Sequence, residues 1–457
     1  MGTKHTLLEE EIGYIDLGDE RSNRRLSILL EQLTQMPCSS IPEACGTKAS
    51  TKAAYRFFDQ ERVSVRAIQE GFFRATGDRI KGTKRVIVAQ DTTNLDFTAH
   101  AKTRGLGYLD DEACSGIKMH SALVISENGV PLGLVAQHYW VRRFEEYGKK
   151  KNRRKKKTVE KESQRWLSSV EETEKHIEEG TAIVTVADRE ADAYDLFAQH
   201  RRPKHDLVVR VCRNRSIKGE HKLLYDKVLS LEKCGVTEIS ISRSRDRKAR
   251  KAVVEVRYTQ VEIQPPQYRA MEHLPAIVLW VMSLEEVDPP AGAQPIHWML
   301  MTTMPVTMLD DALQCVHWYT MRWLIERYHY TLKSGCQVEE LQLEEAERIE
   351  RAVAVYCIVA WRLLFLTYLA RLHPDQLSTT VLDKEEVNAL SCFIRRSKEP
   401  SEKLPTIEEA VRMIAQLGGF LGRKGDGFPG VKVLWRGFRR LNDFFIAYQI
   451  FKDVGNA

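Results

Sequence analysis

The stretch Ala182-Ile183-Val184-Thr185-Val186-Ala187 carries no charge and does not alternate apolar with polar residues. Such a strand must be covered on both faces, which calls for a sheet flanked by helices. Val86-Ile87-Val88-Ala89 and Leu207-Val208-Val209-Arg210-Val211 read as further strands. Between the first two runs in the chain lie Met119–Ser126 and Leu132–Trp140, joined at Asn128-Gly129, a hairpin signature. Stretches near 158–178 and 190–200 read as helices. The order strand, hairpin, helix, strand, helix, strand predicts a mixed α/β sheet.

The flanks differ from this centre. Residues 1–80 show helical stripes, such as Leu26, Leu29, Leu30 and Leu33, interleaved with Arg21, Arg24, Arg25, Lys48, Lys52, Arg56, Arg66 and Arg74. A small helical domain with a basic face suits DNA, and solvated helices share the pattern. From about 220 to 305 the chain turns β-rich, read as an insertion in the sheet and not a separate fold. Helical periods return over 307–345 and 347–372, and the tail from 373 to 457 reads as helical. The run Ala352–Ala370 is long and apolar but contains Arg362, and its aromatics are scattered, so it reads as a core helix and not a membrane span. The acidic start without an apolar stretch is not expected to be a signal peptide. Nine Cys, none spaced C-x2-C, argue against a zinc ribbon and a disulfide scaffold. No pair of His at metal-hydrolase spacing and no phosphate-loop glycine pattern is present, so neither a zinc hydrolase nor nucleotide hydrolysis is expected.

Two of the inferred strands end at Asp91 and Asp188. Functional groups gather at the carboxyl ends of such strands, and neighbouring carboxylates suit a hard divalent cation. Asp also ends strands and caps helices with no further role. Near Asp188, Glu190 and Asp192 compete for the metal role, as Asp96 does near Asp91. Asp188 is preferred because it directly follows the apolar run. On a uniform helical wheel with Tyr319 at zero, Arg322 falls near about −60°, Glu326 near about −20° and Lys333 near about −40°. Salt-bridge spacing explains Arg322 with Glu326; a phosphodiester site would use all four residues.

Tyr319-x2-Arg322-x3-Glu326-x6-Lys333 resembles the Y-R-E-K signature of bacterial cut-and-paste DDE transposases of the insertion-sequence-four group, the group of the transposon-five transposase. Gln90-Asp91-Thr92-Thr93 and Asp188-Arg189-Glu190-Ala191-Asp192 resemble its two Asp motifs. Leu207–Arg210, Pro295–Trp298 with Pro305-Val306, Leu17–Asp19, Ala54–Phe57 and Leu417–Phe420 add weaker matches in the right order along nearly the whole chain. The resemblance implies an α/β fold with a ribonuclease-H-like catalytic core over 81–372. The β-rich insertion falls at about 220–305, a helical DNA-end-binding domain at 1–80 and a helical dimerisation domain at 373–457. It implies that Asp91, Asp188 and Glu326 hold two Mg2+, with Mn2+ able to substitute. Tyr319, Arg322, Lys333, Trp298 and Arg210 would contact DNA. A strand Trp ordinarily packs on the sheet; in this family the Trp matching Trp298 stacks on a flipped base. The implied reaction is cut-and-paste transposition by nicking, hairpin formation and resolution, and strand transfer. Its partners are transposon-end DNA, target DNA and a second copy in a homodimer that cuts in trans, with no nucleotide cofactor and no membrane. The expected location is the bacterial cytoplasm, at the nucleoid. Two other readings use the same residues: a metal-dependent nuclease without strand transfer, and a domesticated DNA-binding protein that no longer cuts.

The chain has 69 Lys and Arg against 63 Asp and Glu, a net of +6 that is uninformative until located. Residues 149–157 hold eight basic residues in nine and residues 243–251 six in nine. Solvated loops explain such runs, and phosphate contact flanking the cut site is the sharper expectation.

Overall fold

Asp19, Ser40, Thr47 and Ser64 each accept a hydrogen bond from the backbone N–H three residues on, and each starts a helix. The computed structural model describes residues 7–149, 161–241 and 250–455. These caps and a short first helix set out α1 (Leu7–Gly13), α2 (Glu20–Gln35), α3 (Ile41–Cys45), α4 (Lys48–Asp59) and α5 (Val65–Arg79). The leucine stripe of α2 is buried throughout.

The centre follows as β1 (Arg85–Asp96), β2 (Gly107–Tyr108), β3 (Ser115–Ser126), β4 (Pro131–Trp140), α6 (Gln164–His176), β5 (Ala182–Ala187), α7 (Tyr194–Ala198) and β6 (His205–Arg210). Next come α8 (Leu224–Leu229), β7 (Gly235–Ile241), β8 (Arg250–Ile263), β9 (Ile277–Glu286) and β10 (His297–Thr302). The strands form one ten-stranded sheet in the order β2-β3-β1-β5-β6-β10-β9-β8-β7, with β4 on β3. β1, β5 and β6 run parallel, while β3 is antiparallel to β1 and β4 to β3. This is the ribonuclease-H-like arrangement. The β-rich segment joins it because β10 pairs antiparallel with β6, so the insertion lengthens the same sheet.

Three expectations need correction. The strand carrying Asp91 does not end there. Thr92–Asp96 continue to pair with β3, and Leu95 is buried, so Asp91 lies inside β1. The expected helix near 190–200 is a 3-10 turn at Arg189–Ala191 followed by the short α7. The helix near 307–345 is interrupted. It comprises α9 (Leu309–Met321), α10 (Trp323–Tyr330), a π-turn over Thr331–Gly335 and a 3-10 turn at Val338–Glu340. At Arg322 the backbone tightens, since the Arg322 and Ile325 amides each donate three residues back. A uniform wheel therefore does not hold as far as Lys333.

α11 (Ala346–Leu372) passes through the middle of the molecule and is buried over most of its length. Among the described residues it is the one helix long and apolar enough to cross a membrane. However, 94% of its most apolar window is covered by protein. It packs against α2, α4, α5 and β4, and against two of the three helices that follow, α12 (Lys384–Arg395), α13 (Ile407–Leu417) and α14 (Val431–Gly455). Trp361 donates its indole N–H to the Pro131 carbonyl at 3.0 Å, lies 5.4 Å from Phe72, and has the Arg79 guanidinium 4.3 Å over its ring. Arg351 donates to the Val63 and Phe58 carbonyls. α11 thus ties the amino-terminal helices to the sheet and the tail.

Much of both basic runs, 150–157 and 243–249, lies outside the described residues. Of the rest, Arg250 is paired with Glu286 and Lys251 with Glu238, so these two are engaged within the β-rich segment.

Trp361→Ala removes a fully buried ring and its hydrogen bond. The expected cost is about 3–5 kcal/mol of stability in urea unfolding. A loss under about 1 kcal/mol would show that α11 is not the structural hub.

Candidate active site

Parallel pairing of β1 with β5 sets Gln90 opposite Ala187. The next residues are Asp91 and Asp188, so the two carboxylates leave adjacent strands side by side. β5 stops at this point while β1 continues on β3, and the sheet opens between them. The Asp188 carboxylate accepts the Glu190 amide at 2.9 Å, capping the turn that follows. Asp91 accepts the Thr92 amide at 2.8 Å.

Glu326 comes from α10, packed against β1. Arg322 joins the groups: its guanidinium is 2.5 Å from the Glu326 carboxylate and 3.8 Å from that of Asp91. Burial pushes the Asp91 carboxyl up to about 7; Arg322 opposes this, and the nearby Asp188 and Glu326 add to it. Burial disfavours the charge on Arg322, yet Tyr319, Glu326 and Asp91 together hold its pKa above the ordinary value. The three acids therefore share one region, with a guanidinium between two of them. Among the described residues, the donor group drawn within 4.8 Å is a different one, Glu70, Glu172 and His176. Three carboxylates repel unless a cation lies between them, and here Arg322 fills that place beside Asp91.

The competing acids have other work. Asp192 accepts the amides of Cys212 and Arg213 and pairs with Arg215. Glu190 is exposed and paired with Arg165 at 2.6 Å. Asp96 accepts from Thr98, and its amide donates to Glu339.

The predicted DNA-contact residues form a row beside the acids. Arg210, at the end of β6, lies 5.8 Å over the Trp298 ring. Trp298, half-buried on β10, meets Tyr319 edge to face at 5.3 Å, and Arg322 lies 6.0 Å from the Tyr319 ring. Burial raises the Tyr319 phenol above its ordinary pKa, against the pull of Arg322 and Arg210. Lys333 departs from the row: on the π-turn it donates to the Asn94 carbonyl at 2.7 Å and pairs with Glu339 at 2.9 Å. It bounds a polar cleft of about 360 Å3 along the far half of β1, with Arg142 and Arg165.

Arg165 was not singled out in the sequence. Its Nε donates to the Thr92 hydroxyl at 2.9 Å, placing a cation one residue from Asp91. It stands at the start of α6 in a polar stretch with no motif, so only folding reveals it. His317 is exposed; His329 is buried and pushed down to about 3, which leaves its ring neutral.

Residues 4–63 match the Transposase DNA-binding family, residues 145–362 the Transposase DDE domain, and residues 358–452 the Transposase Tn5 dimerisation domain. Binding to DNA and pairing with a second copy follow from the first and last of these. The middle match covers β5, the whole β-rich segment, α9, α10 and α11 as far as Arg362. Three matches in this order along one chain show that it belongs to the Tn5-like DDE transposases, metal-dependent enzymes that cleave DNA and transfer its strands.

Proposed function

We propose that Asp91, Asp188 and Glu326 hold two divalent metal ions, Mg2+ with Mn2+ able to substitute, in a cut-and-paste transposase. The observation that carries this reading is the β1–β5 register, which sets Asp91 beside Asp188, with Arg322 linking Glu326 to Asp91. The donor set fits: all three are oxygen ligands, as hard cations prefer. Asp91, held high by burial, regains its charge most readily beside a cation. When bound, such ions activate an attacking oxygen and stabilise a leaving one in in-line displacement at phosphorus.

The remaining work falls to the chain. Arg322 now neutralises Asp91 and Glu326; a cation at the acids frees it for a backbone phosphate, which a guanidinium binds in two-point fashion. Tyr319 and Arg210 both pack on Trp298, leaving a half-buried indole where a flipped base can stack. Lys333, Arg142 and Arg165 line the polar cleft along β1 and supply positive charge for a DNA strand.

The proposed sequence is nicking at the transposon end, attack of the freed 3′-OH to form a hairpin, hairpin resolution, and joining to target DNA. Each transesterification conserves phosphodiester bonds, so no nucleotide cofactor is needed. The helical segments at 1–80 and 373–457 are proposed as the DNA-end-binding and dimerisation domains around the core at 81–372. The proposed setting is a bacterial cytoplasm, on the nucleoid. The presence of all three acids supports a cutting enzyme over a non-cutting DNA-binding protein.

Asp188→Ala should lower end cleavage by roughly 10^4-fold or more while DNA binding in a gel-shift assay is unchanged. Retained cleavage would refute the assignment. Trp298→Ala should leave the first nick intact and slow hairpin formation by about 5–150-fold, the worth of one stacked base at roughly 1–3 kcal/mol. Slowing of both steps equally would instead mean that Trp298 only packs on Tyr319. Chelation should stop cleavage, and added Mg2+ or Mn2+ should restore it.

A further inference from the structure

A second group of metal-ligating side chains lies away from the acids at β1 and β5. Glu70 on α5 meets Glu172 and His176 on α6, with the donor atoms of all three within 4.8 Å of one another. Glu172 and His176 are one helical turn apart, so both project from the same face of α6. His176 lies about 16 Å along α6 from Arg165, at about 1.5 Å per residue, which separates this group from the polar cleft.

The burial is what sets the group apart from a surface ion pair. The side chains of Glu172 and His176 are only 8% and 4% exposed. Glu172 Oε2, His176 Nε2 and His138 Nε2 are all buried without a hydrogen-bond partner. Buried polar atoms left unpaired are costly and call for an explanation. His138, on β4, places its Nε2 3.8 Å from Glu172 Oε2, at the edge of the group.

We propose that Glu70, Glu172 and His176, with water as the fourth ligand, form a structural Zn2+ site that pins α5 to α6. Imidazole nitrogens with carboxylates suit Zn2+ better than Mg2+, which prefers oxygen alone. The two helices are already in close approach: a Cβ added at Gly77 of α5 would collide with the His176 carbonyl, and Phe73 meets the His176 ring edge to face at 5.4 Å. An open cleft of about 460 Å3 reaches Glu70 and His176 from solvent. Three cations contact the acids: Arg66 bridges Glu70 and Glu172, while Lys175 and Arg74 approach Glu70. Their side chains are 50%, 59% and 63% exposed, so each can turn into water at little cost. α5 closes the amino-terminal helices and α6 flanks the sheet, so the ion would fix one against the other.

The test uses the full chain carrying Asp91→Ala and Asp188→Ala, so that it is independent of the metal reading at those acids. Equilibrium dialysis of the chelator-stripped protein against Zn2+ alone should give one ion per chain. Co2+ in its place should give the intense visible bands of a tetrahedral site. Adding Glu172→Gln or His176→Gln should weaken Zn2+ by more than about 100-fold, beyond what losing an outer partner costs. Adding Arg66→Ala should tighten it, because Arg66 competes for both carboxylates. No stoichiometric Zn2+, unchanged affinity in the Gln variants, or weaker binding in Arg66→Ala would overturn the proposal; the Co2+ spectrum of the parent decides the matter if a Gln variant fails to fold.

Discussion

The parallel pairing of β1 with β5 is the constraint on which the site depends. Two apolar strands buried on both faces have little freedom in register, because a slip of one residue would turn every side chain to the other face. Gln90 therefore stays opposite Ala187, and the residues that follow bring two carboxylates together where the sheet opens. The repulsion between them is sustained by the packing of the whole sheet. α11 keeps that packing in place from below the hairpin, through Trp361 on the Pro131 carbonyl.

Arg322 is the second part of the arrangement. It stands where α9 gives way to α10, and the tightened backbone there aims it at Asp91 as well as at Glu326. A simple helical salt bridge would reach only Glu326. In contact with both acids, Arg322 couples their charge to the aromatic row of Tyr319 and Trp298, and through it to Arg210. In the proposed reading, metal binding and DNA contact would be linked through this one guanidinium.

Much of this was legible in the sequence, for physical reasons. Apolar runs locate β5 and β6, and Asn128-Gly129 locates the β3–β4 hairpin. Asp188 stands out because charge follows directly on such a run, and Asp91 because it comes one residue after another. The spacing of Tyr319, Arg322 and Glu326 survives because the break at Arg322 is small. Lys333 is misplaced by a uniform wheel because the π-turn intervenes, and its partners Asn94 and Glu339 are set by folding. The extension of β1 past Asp91 was hidden because Thr92, Thr93 and Asn94 look like a loop until β3 pairs with them. Arg165 beside Thr92, and Glu70 against His176, join segments far apart in the chain, with no local pattern to announce them.

The acids at the β1–β5 opening are proposed as a metal site in which Arg322 stands in for the cation. Anomalous diffraction from crystals of the chain with Mn2+ and end DNA tests this most directly. The expected result is Mn2+ bound by the Asp91 and Asp188 carboxylates, with Arg322 turned away from Asp91 toward a phosphate. Mn2+ absent from these acids, with Arg322 still against Asp91 in the DNA complex, would contradict it.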